Sequence, residues 1–225
     1  MTYVVSDIHG QYEKFKSILS QISFKSSDVM YVVGDLLDYG EESMELIADL
    51  SLRLNVFPIV GEHDYRAARM LKGFSSMLES GKNPTPAFIT EMTEWVQNGG
   101  QATLDSFRSL DAEQREGVLE YLEDMVLYDE VTVKGKRYVM VHAGIADYTP
   151  DTDLDACHPK TFFTTPLDRT KALMADATVI VGHVPNASGK IERGEGSICL
   201  DCGAGEGGSL GCLCLESGEE FYVPV

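Results

Sequence analysis

Five places in the chain set a histidine or a carboxylate directly after an apolar run: Asp7 and His9, Asp35 and Asp38, Glu62 and His63, His142, and His183. Four of the five histidines fall at such places, and only His158 does not. Taken singly, each reads more naturally as a hydrogen-bonded structural histidine. Four recurrences of one pattern point instead to a shared site. Mixed imidazole and carboxylate donors suit manganese, iron or zinc rather than calcium. Two such ions sharing a carboxylate can grip both oxygens of an in-line displacement and generate a hydroxide near neutral pH.

Residues so far apart in sequence meet only if strands deliver them to one edge. The apolar runs 3–6, 29–33 and 56–60 are predicted strands. The first is followed by Phe15, Ile18, Leu19 and Ile22 at helical spacing; after the second, 41–54 reads as a helix with Met44, Leu46, Ile47 and Leu50 inward. Repeated strand, turn and helix signal βαβ units and a parallel sheet, whose carboxyl ends gather at one crevice. The spacing predicts helices over 66–78 and 86–97, parted by the breaker run Ser80-Gly81-Lys82-Asn83-Pro84. A third, reaching residue 125, opens with a capping box at Asp111-Ala112-Glu113-Gln114. Residues from about 65 to 125 thus read as a helical cap inserted into a single domain spanning 1–225. Strands resume at 130–134, 137–141 and 178–181, the last two running into His142 and His183. A glycine-rich meander over 197–200, 210–215 and 220–223 closes the chain.

The motifs Ser6-Asp7-Ile8-His9-Gly10, Gly34-Asp35-Leu36-Leu37-Asp38-Tyr39-Gly40, Gly61-Glu62-His63-Asp64, His142-Ala143-Gly144 and Gly182-His183-Val184-Pro185 occur in that order. Together they resemble the calcineurin-like metallophosphoesterases, and within them the bacterial and phage branch of the serine/threonine phosphoprotein phosphatases. Trp95, Asn98-Gly99-Gly100, Thr103 and Leu200-Asp201-Cys202-Gly203-Ala204 extend the likeness over nearly the whole chain. The resemblance implies an α/β sandwich of two mixed β-sheets flanked by helices, with an inserted helical cap. It implies that Asp7 and His9 hold one metal, His142 and His183 a second, and that Asp35 bridges them. His63 would protonate the leaving oxygen, oriented by Asp38, while a hydroxide attacks phosphorus without a covalent phosphoenzyme.

Two departures fall at the chemistry. The family's neutral Asn ligand is Glu62 here, and its phosphate-gripping Arg is Tyr39. An ionised, ligating Glu62 would cancel the positive charge left on two divalent ions, and Tyr39 restores none of it. Phosphate should bind more weakly than in typical relatives, because a charge-assisted guanidinium contact is worth roughly 1.5–3 kcal/mol. Arg66, on the helix after the third motif, is a candidate replacement, although an exposed helix arginine needs no such role. Asn98 is a candidate substrate contact, or simply part of a glycine-terminated helix end. The expected activity is metal-dependent phosphoester hydrolysis, with phosphorylated proteins favoured as substrates. Small phosphoesters or a dinucleoside polyphosphate are the further alternative, and a non-catalytic interaction protein on the same scaffold is the competing class.

Bulk properties bound the rest. With 36 acidic and 18 basic residues the formal net charge is −18, which repels a nucleic-acid backbone. No apolar run approaches the roughly 20 residues that span a bilayer, and no basic leader precedes the first strand. A cytoplasmic protein without membrane or nucleic-acid partners is therefore expected. Cys199, Cys202, Cys212 and Cys214 could ring a structural zinc, but their alternation in apolar strands favours small core hydrophobes. Asp201 reads as structural, and the acidic run Asp147, Asp151, Asp153 and Asp155 as a solvated loop.

Overall fold

Two five-stranded mixed sheets lie face to face in the computed structural model, which describes residues 1–81 and 83–224. Lys82, in the predicted breaker run, and Val225 lie outside the described residues. The strands are β1 (Thr2–Val5), β2 (Val29–Val33), β3 (Val56–Ile59), β4 (Tyr128–Val133), β5 (Lys136–Val141), β6 (Ala177–Val181), β7 (Glu192–Gly194), β8 (Ser197–Cys199), β9 (Leu210–Cys214) and β10 (Glu220–Val223). One sheet has the order β10-β9-β1-β2-β3 and the other β4-β5-β6-β8-β7. Strands β1, β2 and β3 run parallel, as do β5, β6 and β8. Antiparallel β9 flanks the first set, and β4 and β7 flank the second.

Side chains alternate between the faces of each strand, and the hydrophobic pattern uses both. Val4, Tyr31, Val33 and Ile59 of the first sheet share one apolar cluster with Tyr138, Met140, Ile180 and Ile198 of the second. Their neighbours Val5, Met30 and Val32 join Phe15, Ile18, Leu46 and Leu50 of the helices α1 (Tyr12–Gln21) and α2 (Ser43–Ser51). With both faces covered, the strands read as continuous apolar runs, as parallel strands do.

Between β3 and β4 lie α3 (Glu62–Ser80), α4 (Pro86–Trp95), a π-helical turn (Val96–Gly100), α5 (Gln101–Arg108) and α6 (Ala112–Glu123). Two of these boundaries differ from the sequence expectation. Helix α3 begins at Glu62, so the third motif forms its first turn instead of preceding it. Gly61 takes the N-cap position, and the buried Asp64 carboxylate accepts its amide at 3.0 Å, which starts the helix early. Beyond Trp95 the glycines do not end the helical segment. Gly99 adopts φ 98°, a conformation glycine takes without steric cost, and the chain turns there into α5. Among the described residues no helix is long and apolar enough to cross a membrane.

Candidate metal centre

The carboxyl ends of β1, β2, β5 and β6 carry the first, second, fourth and fifth motifs to one edge. Backbone hydrogen bonds continue between the first two beyond the strands: the amides of Asp7, His9 and Gly10 donate to the carbonyls of Gly34, Asp35 and Leu36 at 3.0, 2.9 and 2.7 Å. Asp7, His9, Asp35, Asp38, Tyr39 and His183 all have positive φ, between 49° and 74°. Each such non-glycine residue costs about 1–3 kcal/mol, so the surrounding contacts must hold it there. The loops are tight as well. A Cβ on Gly182 would lie 2.0 Å from Asp7 Oδ2, and one on Gly61 would lie 2.1 Å from Asp35 Oδ1.

Those contacts divide the carboxylate oxygens. Asp7 Oδ1 accepts the His183 amide at 3.0 Å, and Asp35 Oδ1 accepts the His63 amide at 2.9 Å. The other oxygen of Asp7 is buried and, among the described residues, has no hydrogen-bond partner. Asp35 Oδ2 stands 3.3 Å from His142 Nε2 and 3.8 Å from His9 Nε2. His9 Nδ1 donates to the Leu37 carbonyl at 2.8 Å and His142 Nδ1 to that of Val33 at 3.2 Å, leaving both Nε2 atoms to the site. His142 Nε2 and His183 Nδ1 are 3.2 Å apart. Asp7, His9 and Asp35 therefore form one group with ligand atoms within 4.8 Å of one another, and Asp35, His142 and His183 form a second. Asp35 belongs to both.

The electrostatics call for cations. Burial, then the charge of Asp201, raises the Asp7 carboxyl well above its ordinary value. Burial, then Asp35, raises Asp64 to about 7, and burial lifts Asp201 to about 6. Burial acts against the charged form of Asp35 too, but the imidazoles of His142, His9 and His63 outweigh it and hold its carboxyl low. Burial likewise acts against the His142 imidazolium, yet Asp35 and Asp7 raise it to about 10. Burial lowers His9 and His183. Among the described residues no lysine or arginine pairs with Asp7, Asp35, Asp64 or Asp201. Buried carboxylates without basic partners, one with an unpartnered oxygen, suit bound divalent ions.

His63 sits beside these groups. Its Nδ1 donates to Asp38 Oδ2 at 2.7 Å, and its ring meets that of His9 edge-on at 5.0 Å. Burial would lower His63, but the hydrogen bond to the fully buried Asp38, with the charge of Asp35, leaves it raised. A cleft of about 100 Å³ opens over the site, lined by His9, Asp35, Tyr39, His63, His183 and Asp201 among others.

The sequence model of the calcineurin-like phosphoesterase family matches residues 2–202. The chain belongs to that family. Symmetrical bis(5'-nucleosyl)-tetraphosphatases are among the relatives of this phosphoesterase. That of Sodalis glossinidius is 30% identical over 155 residues, 68% of this chain and 45% of its own length. That of Wigglesworthia glossinidia brevipalpis is 25% identical over 154 residues, 68% of this chain and 47% of its own. The phosphoesterase thus spans about half the length of these relatives. In fold it is similar to the crystal structure of a candidate diadenosine tetraphosphatase, with a TM-score of 0.66 and 22% identity over 99% of this chain and 92% of that one. It is also similar to a serine/threonine phosphatase from Saccharomyces cerevisiae, with a TM-score of 0.63 and 12% identity over 100% and 79%. The two solved structures show a shared fold alone, and the curated relatives do not point to the protein-phosphatase branch.

Other expected site residues of the phosphoesterase stand apart from the two ligand groups. Glu62 is exposed at the first position of α3 and belongs to neither group. Tyr39 forms one lip of the cleft, 44% exposed, its ring 5.0 Å from that of His9 and 5.3 Å from that of His63. Arg66 pairs with Glu94 at 3.6 Å, and Asn98 donates to the Glu94 carbonyl at 2.6 Å; neither lines the cleft. Two further residues have contacts that their motifs do not announce. Asp64 accepts the amides of Leu36 and Leu37 at 2.8 and 3.1 Å and so ties the second motif to α3. Asp201, after β8, lines the cleft, because β8 pairs in parallel with β6. The four cysteines of the tail are buried, and among the described residues they form no metal-holding group.

Proposed function

We propose that this phosphoesterase hydrolyses a small phosphoric ester or anhydride, with a bis(5'-nucleosyl) polyphosphate as its leading substrate class rather than a phosphoserine or phosphothreonine protein. The observation that carries hydrolysis is the position of Asp35, one carboxylate common to two three-residue ligand groups. The relatives' names support the choice of substrate. Manganese, iron or zinc would be held by Asp7, His9 and Asp35 on one side and by Asp35, His142 and His183 on the other. Bound there, two divalent ions neutralise phosphoryl charge and activate water.

The chain's own residues have separate tasks. His63, with Nδ1 fixed on Asp38, holds a proton at Nε2 for the leaving oxygen. Burial, then Asp38, raises the Tyr39 phenol, so it remains a neutral donor at the cleft lip. Its hydroxyl can orient a phosphoryl oxygen but adds no charge, so affinity for phosphate depends on the ions. The test is a panel containing a bis(5'-nucleosyl) tetraphosphate, an aryl phosphate and a phosphoserine peptide, each assayed with the three metals. Metal-dependent cleavage with the highest kcat/KM on the tetraphosphate is expected. A preference for the phosphopeptide would overturn the substrate assignment, and no turnover on any member would favour a binding role.

A further inference from the structure

The remaining contacts of Asp38 lead away from the metal centre into the helices. Trp95 Nε1 donates at 2.9 Å to Asp38 Oδ2, the same oxygen that receives His63 Nδ1. Thr103 Oγ1 donates to Asp38 Oδ1 at 2.8 Å and accepts the Asp38 amide at 2.9 Å. All three side chains are wholly buried. Trp95 ends α4 and Thr103 lies in the first turn of α5, so the π-helical turn joins the two donors. That turn grips the next residue too, because the Gly99 carbonyl accepts the Tyr39 amide at 2.9 Å. It is closely built: a Cβ on Gly100 would lie 2.3 Å from the Trp95 ring. Asp38 and Tyr39 are consecutive residues at φ 74° and 64°, a conformation that needs outside support. Irregular turns of this kind recur at functional sites.

We infer that Trp95 and Thr103 are positioning residues for hydrolysis: they fix both oxygens of Asp38, and Asp38 thereby aims His63 at the leaving group. A tryptophan needed only for packing would not have to direct its indole N–H at the oxygen that orients His63. The inference rests on His63 acting as the proton donor, and the experiment separates the two ideas.

The kcat/KM of the metal-loaded enzyme is measured across aryl phosphoesters whose leaving groups run from nitrophenolate to unsubstituted phenolate. An acid that protonates the leaving oxygen matters most for the poorest leaving group. His63→Ala should therefore steepen the dependence on leaving-group pKa. Trp95→Phe and Thr103→Val should steepen it partway, losing about 10- to 100-fold on the poorest leaving group, the scale of a misaimed catalytic group, and far less on the best. Thr103→Ser should restore the wild-type slope. Because each slope is a ratio within one preparation, a lower folded fraction cancels. A steep His63→Ala slope with wild-type slopes in Trp95→Phe and Thr103→Val would overturn the inference. An unchanged His63→Ala slope would overturn the acid role itself, and the inference with it.

Discussion

The two oxygens of Asp35 have different partners, the His63 amide on one and the His142 and His9 imidazoles near the other. That division lets a single carboxylate serve two ligand groups. Residue types made the candidate ligands legible in sequence, because each follows an apolar run within a short motif. Asp64 and Asp201 were less legible, since what they contact depends on strand pairing and helix capping. The charge of the group has a consequence for stability once divalent ions are stripped. His142 is raised to about 10 in the folded chain, so above its ordinary titration range it holds a proton that the unfolded chain releases. Burial raises the thiols of Cys199 and Cys202, to about 11 and about 12, with the same sign. Stability of the stripped protein should therefore fall as pH rises from about 7 to about 9.5. His9 and His183, which are lowered, oppose this only on the acid side of that window. Thermal unfolding in chelator checks it. Divalent ions should flatten the slope, because ligands bind in deprotonated form, and a midpoint that climbs with pH in chelator would refute the charge assignment.

At the scale of elements, the strands deliver the site and glycines at their ends allow it to close. Gly182, after β6, is pressed on Asp7, and Gly61, after β3, on Asp35. Gly182→Ala should displace the Asp7 carboxylate and weaken metal binding about 10- to 100-fold, the usual cost of disturbing a ligand's support. Calorimetric titration with manganese measures this, and circular dichroism confirms that the fold is retained; unchanged affinity in a folded variant would contradict the account. The parallel strands were legible because both of their faces are buried, which leaves unbroken apolar runs. The start of α3 was not, because its N-cap is a glycine whose amide is satisfied by Asp64 three residues on. Helix α5 was hidden by Asn98-Gly99-Gly100, which carries the composition of a helix end but here forms a kink between two helices. Three-residue β7 was missed because so short a strand is defined by its partner β8 rather than by its own sequence.

Across the whole molecule, the net charge of −18 surrounds a cleft lined, among the described residues, by neither lysine nor arginine. An anionic substrate therefore approaches against the long-range field. Raising ionic strength from about 0.01 M to about 0.15 M shortens the screening length from about 30 to about 8 Å and should increase kcat/KM. A decrease would indicate a basic steering surface instead. The overall likeness to the family fits a scaffold that converts five distant motifs into one site, while the helices between β3 and β4 are where its irregular turn meets that site. The two ligand groups predict a centre for two divalent ions with Asp35 common to both. Metal content is measured for wild type and Asp35→Asn, each stripped, reloaded at equal manganese concentration and assayed for hydrolysis. Two ions per wild-type chain, fewer in the variant, and activity that returns only with the ions are expected. Hydrolysis that survives stripping, or a full pair of ions retained by Asp35→Asn, would exclude a two-ion centre built on Asp35.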